Sequence, residues 1–76
     1  MDSWNQIGNV FILIATRYAI LKVGDRYILT VMRGEQDYSA TSLDVFTLME
    51  YAEYLQRHHS FRCFEYEEWK RVGKPM

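Results

Sequence analysis

The chain has 76 residues, of which 49% are hydrophobic and 16% aromatic, and its formal net charge is −1. This length fits one domain with a thin core, and the apolar content argues against an intrinsically disordered chain. The nearly balanced charge excludes a bulk electrostatic attraction to nucleic acid or to an anionic membrane surface.

The cysteine count and the N-terminal residues bear on the compartment. Cys63 is the single cysteine, so an internal disulfide of the kind that stabilises small secreted domains cannot form. The apolar run Val10–Ala15 is shorter than the hydrophobic region of a signal peptide, and Asp2 stands where such peptides carry positive charge. The run is also far shorter than the ~20 residues of a membrane span. We therefore expect a cytoplasmic protein.

Residues 3–16 fit two structures. As a helix, the segment has Ser3 as its N-cap and Gln6 three residues later, which is the spacing of a capping box. Four apolar residues would then share one helix face: Ile7, Val10, Phe11 and Ile14. As a strand, the β-branched and aromatic run Val10–Ile14 would be fully buried. Because no turn residue follows Ala15, that strand would have to continue to Val23, and the helix is the preferred prediction.

Residues 18–32 predict a β-hairpin. Two β-favouring runs, 18–23 and 26–32, are separated by Gly24-Asp25, and glycine at the first of two turn positions suits a type II′ turn. That turn sets three cross-strand pairs on one side: Lys22 with Tyr27, Ile20 with Leu29, and Tyr18 with Val31. The other side carries Ala19, Leu21, Val23, Ile28, Thr30 and Met32. Both sides are largely apolar, so we expect helices on one face and a second cover on the other.

A central helix is predicted over residues 42–59. Thr41 or Ser42 can cap it, with Asp44 as the capping-box carboxylate or helix-dipole partner, and His58 and His59 suit its carbonyl end. An apolar stripe runs along one side at helical spacing: Val45, Leu48, Met49, Ala52 and Leu55.

The remaining residues complete an α+β prediction. Residues 61–66 indicate a short strand, residues 67–72 one or two helical turns, and residues 73–76 a frayed end. We therefore expect a single α+β domain over residues 1–76. Its three-stranded antiparallel sheet, the hairpin 18–32 plus strand 61–66, would pack with an N-terminal helix and the central helix 42–59.

The candidates for catalysis and metal binding are few. His58, His59 and Cys63 form the one group with metal-ligating side chains, but neighbouring helical histidines diverge by about 100°, and zinc sites require four ligands. The adjacent Glu67 and Glu68 are expected to be solvated, whereas acid–base catalysis needs one carboxyl of such a pair to be desolvated. We expect no enzymatic activity, no metal and no cofactor.

The charges divide along the chain. Residues 17–33 hold four basic residues against one acidic residue, whereas residues 34–56 hold five acidic residues and no Lys or Arg. One hypothesis makes the basic hairpin a platform for single-stranded nucleic acid, formed by Tyr18, Lys22, Arg26 and Tyr27. The alternative interpretation buries Tyr18 and leaves the basic side chains at strand edges, where charge discourages aggregation.

A protein-contact face is the preferred functional prediction. Tyr51 and Tyr54 lie on the side of the central helix away from its apolar stripe, His58 continues their row, and Trp69 follows near the C-terminus. Aromatic residues are enriched where proteins meet, although all three rings could instead be buried. We expect a small non-enzymatic interaction module, a regulator, adaptor or inhibitor that occupies a partner protein's surface and forms a homodimer. The alternative is a nucleic-acid-binding regulator that uses the basic hairpin 17–33.

Overall fold

The computed structural model describes residues 3–31, 40–58 and 63–75, which form five strands and two helices. They are β1 (Trp4–Ile7), β2 (Val10–Leu13), β3 (Tyr18–Val23), β4 (Arg26–Val31), β5 (Ala40–Ser42), α1 (Val45–His58) and α2 (Tyr66–Arg71). The strands form one antiparallel sheet in chain order. The α+β class is therefore confirmed, but the predicted three-stranded sheet is wrong.

The predicted N-terminal helix is wrong, because residues 4–13 form the β1–β2 hairpin. Ile7 pairs with Val10 across a two-residue turn in which Gly8 has a φ of 59°. Positive φ is costly for residues with a Cβ but not for glycine. Gly8 therefore favours a hairpin turn at this position and would weaken a helix.

The connection between β2 and β3 is a turn without glycine. Ala15 has a φ of 64°, a left-handed conformation that costs an L-residue roughly 1–2 kcal/mol. The Thr16 hydroxyl donates to the Leu13 carbonyl oxygen at 2.7 Å and accepts from the Tyr18 N–H at 3.1 Å. These bonds offset the strain at Ala15, so the chain reverses where the sequence shows no turn residue.

The predicted hairpin over residues 18–32 is confirmed for its described part, residues 18–31. The β3–β4 register pairs the residues as expected: Lys22 with Tyr27, Ile20 with Leu29, and Tyr18 with Val31. Gly24 occupies the first turn position with a φ of 64°. Met32 lies outside the described residues.

Helix α1 confirms the central helix, with a later start than predicted. Asp44, rather than Thr41 or Ser42, is the N-cap: its carboxylate accepts from the Phe46 N–H at 3.0 Å and from the Thr47 hydroxyl at 2.7 Å. The predicted apolar stripe faces the sheet, with Leu48, Met49, Ala52 and Leu55 buried and Val45 packed at the margin. His59 lies outside the described residues.

The strand predicted over residues 61–66 is not present in its described part. Residues 63–65 are irregular and Tyr66 begins α2, while residues 61–62 lie outside the described ranges. The backbone of Phe64 bonds to side chains: its carbonyl accepts from the Tyr51 hydroxyl at 2.7 Å, and its N–H donates to the Tyr54 hydroxyl at 3.0 Å. Two tyrosines of α1 therefore take the backbone bonds that a neighbouring strand would otherwise supply.

Hydrogen bonds hold the chain after α2, where the sequence indicates fraying. The Gly73 N–H donates to the Lys70 carbonyl at 3.3 Å, and the Lys74 N–H donates to the Trp69 carbonyl at 2.9 Å. With a φ of 98° at Gly73, this is a Schellman motif. The Trp69 indole N–H also donates to the Pro75 carbonyl at 2.9 Å, so the core itself holds this end of the chain.

The core lies between one face of the sheet and helix α1. Ile20 and Leu29 of the central strands are fully buried there against Leu48 and Leu55. Helix α2 packs on α1 through its aromatic residues, with Trp69 fully buried. Both described helices therefore lie on the same side of the sheet, which leaves its other face for a site.

Candidate functional site

The face of the sheet opposite α1, here called the open face, is the candidate site. Successive side chains of a strand point to opposite faces, so the residues that alternate with the buried Ile20 and Leu29 belong to it. In β3 these are Ala19, Leu21 and Val23, and in β4 they are Arg26, Ile28 and Thr30. The apolar second side that the sequence predicts for the hairpin is the centre of this face.

The cross-strand register builds a continuous aliphatic ridge across the open face. The pairs run from strand to strand through β1 to β5: Ile7 with Val10, Val10 with Leu21, Leu21 with Ile28, and Ile28 with Thr41. At about 4.8 Å between neighbouring strands, the aliphatic part of this ridge, from Ile7 to Ile28, extends for roughly 14 Å, and Thr41 follows it on β5. The ridge therefore crosses the whole sheet without a charged side chain.

A second row, here called the shallow row, lies beside the ridge and is lower at its centre. Its pairs are Asn5 with Ile12, Ile12 with Ala19, and Ala19 with Thr30. Ala19 carries a single methyl group on the central strand, directly beside Leu21 of the ridge. The open face therefore has a raised line and a depression next to each other.

The open face is accessible to solvent. Ile7 is 60% exposed, Val23 55% and Leu21 37%. An antiparallel sheet with one face in water usually carries polar residues on that face. Here aliphatic side chains take those positions, and the one charged residue within the strands of this face is the exposed Arg26 at the hairpin end.

The residues predicted as a protein-contact face lie mostly in the interior. Tyr51, Tyr54 and Trp69 are at most 5% exposed, and their rings pack together, with centroids 5.1 Å apart for Tyr51–Trp69 and 5.9 Å for Tyr54–Trp69. Burial, the alternative interpretation, is what the structure shows for these three. His58 is exposed, and its ring lies 4.8 Å from that of Tyr54.

The residues predicted to bind nucleic acid are not brought to one surface. Tyr18 is in the core at 4% exposure, and the half-buried Tyr27 packs edge-on against Phe11 with centroids 6.1 Å apart. Lys22 pairs with Tyr27 on the helix side of the sheet, whereas Arg26 belongs to the open face. The two exposed cations therefore point to opposite sides.

The groups considered for catalysis and metal binding lie apart. Within the three described ranges, no three His, Cys, Asp or Glu side chains are grouped closely enough to hold a metal ion. Cys63 is half-buried and packs against the core. Glu67 and Glu68 are both exposed in the first turn of α2. None of the described helices is long and apolar enough to cross a bilayer.

Half of the open face is predictable from the amino-acid sequence, and the other half is not. The side of the hairpin that carries Leu21 and Ile28 was visible as an apolar alternation. The contributions of Ile7, Val10 and Ile12 were not predicted, because Ile7 and Val10 also fit helical spacing and a helix was preferred for residues 3–16. The turn pair Gly8-Asn9, placed between two short alternating runs, is the signal that could have revealed them.

Comparisons with known proteins add no identification. No protein-family model matches this chain, and neither a curated protein nor a solved structure is significantly similar to it.

Proposed function

We propose that this chain is a small non-enzymatic protein-interaction module, a regulator, adaptor or inhibitor that occupies the surface of a partner protein and works as a homodimer. The observation that supports self-association is the open face, an aliphatic surface across β1 to β4 with Thr41 of β5 at its edge, which neither described helix covers. Monomeric proteins rarely expose apolar patches beyond a few hundred Å², and larger ones mark interaction sites.

The chemistry of the open face suits binding and not catalysis. Its side chains are aliphatic, with Asn5, Thr30 and Thr41 at the margins and Arg26 at one end. The aliphatic side chains contribute about 25 cal/mol to the free energy of binding for each Å² of apolar area removed from water. They do not accept protons at neutral pH or activate water, so the surface stabilises a complex without promoting a reaction.

The same chemistry favours a protein partner over nucleic acid. Affinity for nucleic acid comes mainly from cations placed along one surface, whereas Lys22 and Arg26 lie on opposite sides of the sheet. We expect no change in the fluorescence anisotropy of a labelled single-stranded oligonucleotide at ~50 mM salt, where phosphate contacts are strongest. Saturable binding that Lys22→Glu abolishes would favour the nucleic-acid alternative.

Sedimentation equilibrium of the purified chain tests the proposal. We expect a mass twice the 9.1 kDa of one chain at micromolar concentration. A mass of one chain throughout the micromolar range would contradict the homodimer and leave a different protein as the cover of the open face.

A further inference from the structure

The open face has a shape that can match a copy of itself. The aliphatic ridge places Leu21 on β3, the central strand, and the shallow row places Ala19 two residues away on the same strand and face. A large and a small side chain thus lie side by side, about 6.6 Å apart along the strand. A second copy turned end for end would bring its own Leu21 over this Ala19.

We propose that two copies pack open face against open face about a two-fold axis that runs across the strands between the ridge and the shallow row. This inference rests on the proposed homodimer and names the surface and geometry that form it. Each ridge lies over the other copy's shallow row, so Leu21 fits over Ala19 twice. The sheets lie about 10 Å apart, as in other packed sheets, and the helices are on the outside.

The charge on the open face agrees with this orientation. Arg26 is the one charged residue in the strands of the face, so an acidic or basic partner would meet little complementary charge. About the proposed axis the two Arg26 side chains lie at opposite ends, roughly 20 Å apart along the strands. That separation exceeds the Debye length of about 8–10 Å at physiological salt, so the like charges do not oppose assembly.

The open face offers aliphatic side chains to a second copy. It extends roughly 19 Å across five strands, and Ile7, Val23 and Leu21 are exposed on it at 60%, 55% and 37%. The commonest homo-oligomer is a two-fold dimer, in which the same surface of both subunits forms the interface. A second copy therefore covers the aliphatic side chains, and the Thr30 hydroxyl on the same face already donates to the Ala19 carbonyl at 3.4 Å.

Leu21→Lys tests the surface, with Leu43→Lys as its matched control. Both residues are exposed leucines, at 37% and 70%, but Leu43 lies outside the sheet, just before α1. We expect Leu21→Lys to raise the dimer dissociation constant more than ~30-fold, the loss of at least one interface hot spot, and Leu43→Lys to leave it unchanged. A folded Leu21→Lys protein that remains a dimer would overturn this geometry while leaving the proposed homodimer in place.

Cross-linking between cysteine variants tests the direction of the axis. In a Cys63→Ser background, Ala19→Cys and Leu21→Cys chains are mixed and treated with a short bifunctional maleimide. The proposed axis places the new thiol of one variant opposite the new thiol of the other, so the mixture should link several-fold more than either variant alone. Stronger linking within Leu21→Cys alone indicates an axis along the strands and overturns the proposal, as does the absence of linking in a dimeric mixture. A wild-type chain of single mass would instead remove the proposed homodimer together with this inference.

Discussion

At the residue scale, Ala15 has a backbone conformation that the turn requires but that alanine disfavours. Its φ of 64° suits glycine, and the Thr16 hydroxyl holds the turn in place. We expect Ala15→Gly to stabilise the protein by about 0.5–1 kcal/mol, because the relief of strain exceeds the entropy that glycine adds to the unfolded chain. Urea denaturation measures the change in the free energy of unfolding.

Gly24→Ala is the control that introduces the same strain, because Gly24 also has a φ of 64°. A Cβ at this position would meet no atom within 4 Å. We expect it to destabilise the protein by about 1 kcal/mol through backbone strain alone. Equal effects of the two substitutions would contradict the strain argument.

The ionisation of Asp44, the N-cap of α1, makes the stability of the protein depend on pH. The Thr47 hydroxyl bond holds the pKa of the Asp44 carboxyl below its ordinary value of 3.8, against the opposing effect of desolvation, which is the second-largest influence. The N–H groups of Phe46 and Thr47 and the charge of Lys74 lower the pKa further. A lowered folded-state pKa stabilises the protein above the unfolded pKa, and that stability is lost as the pH falls through the folded pKa.

We expect the free energy of unfolding to decrease as the pH is lowered below about 3.8. In Asp44→Asn this decrease should be smaller, because an amide still caps the helix but does not titrate. Carbon-detected NMR titration should find the Asp44 pKa below 3.8 in the wild type and nearer to 3.8 in Thr47→Val. An unchanged pKa in Thr47→Val would contradict the assigned cause.

At the scale of elements, buried tyrosines join α1 to the segment before α2. The Tyr51 hydroxyl donates to the Phe64 carbonyl, whereas the Tyr66 hydroxyl is buried without a hydrogen-bond partner in the described part of the chain. We expect Tyr51→Phe to destabilise the protein by about 0.5–1.5 kcal/mol, since a part-buried hydrogen bond to the Phe64 carbonyl is lost. Tyr66→Phe, the matched control, should be neutral or stabilising, because it removes a desolvated hydroxyl that gains nothing.

Chemical denaturation of the two phenylalanine variants separates these outcomes. Both substitutions remove one oxygen atom from a ring that contacts Trp69, so packing is nearly equal. A larger loss in Tyr66→Phe than in Tyr51→Phe would show that the Tyr66 hydroxyl has a partner that matters to stability.

At the scale of the whole molecule, the proposed dimer makes stability depend on concentration. If the open faces are covered only in the dimer, unfolding separates the chains, and mass action raises Tm as the protein concentration rises. With an unfolding enthalpy of about 0.7 kcal/mol per residue for both chains, a tenfold increase should raise Tm by about 5 °C. Calorimetry at two concentrations measures this shift, and Leu21→Lys should abolish it.

Elements that depend on neighbouring residues in the chain were predictable. The hairpin of β3 and β4 follows from two alternating runs and one glycine, and helix α1 follows from an apolar stripe uninterrupted by glycine or proline. Residues 4–13 were predicted as a helix because all four residues of Val10–Leu13 are apolar. So short an apolar run does not distinguish the helical period from the strand period. Strand β5 has three residues, too few for a pattern, and it forms because the edge of β4 offers unpaired backbone groups.

Some features of the fold and of the candidate site follow from the sequence alone, and others follow only from tertiary packing. The amino-acid sequence by itself determined the α+β class, the register of the central hairpin, the buried stripe of α1 and the apolar character of both hairpin faces. These depend on contacts between residues near in sequence, where periodicity and turn chemistry decide the conformation. Only the tertiary structure decided that Tyr51, Tyr54 and Trp69 are buried and that Ile7 and Val10 extend the open face. Those outcomes depend on where α2 docks and on which side of the sheet α1 lies, and packing between distant segments decides both.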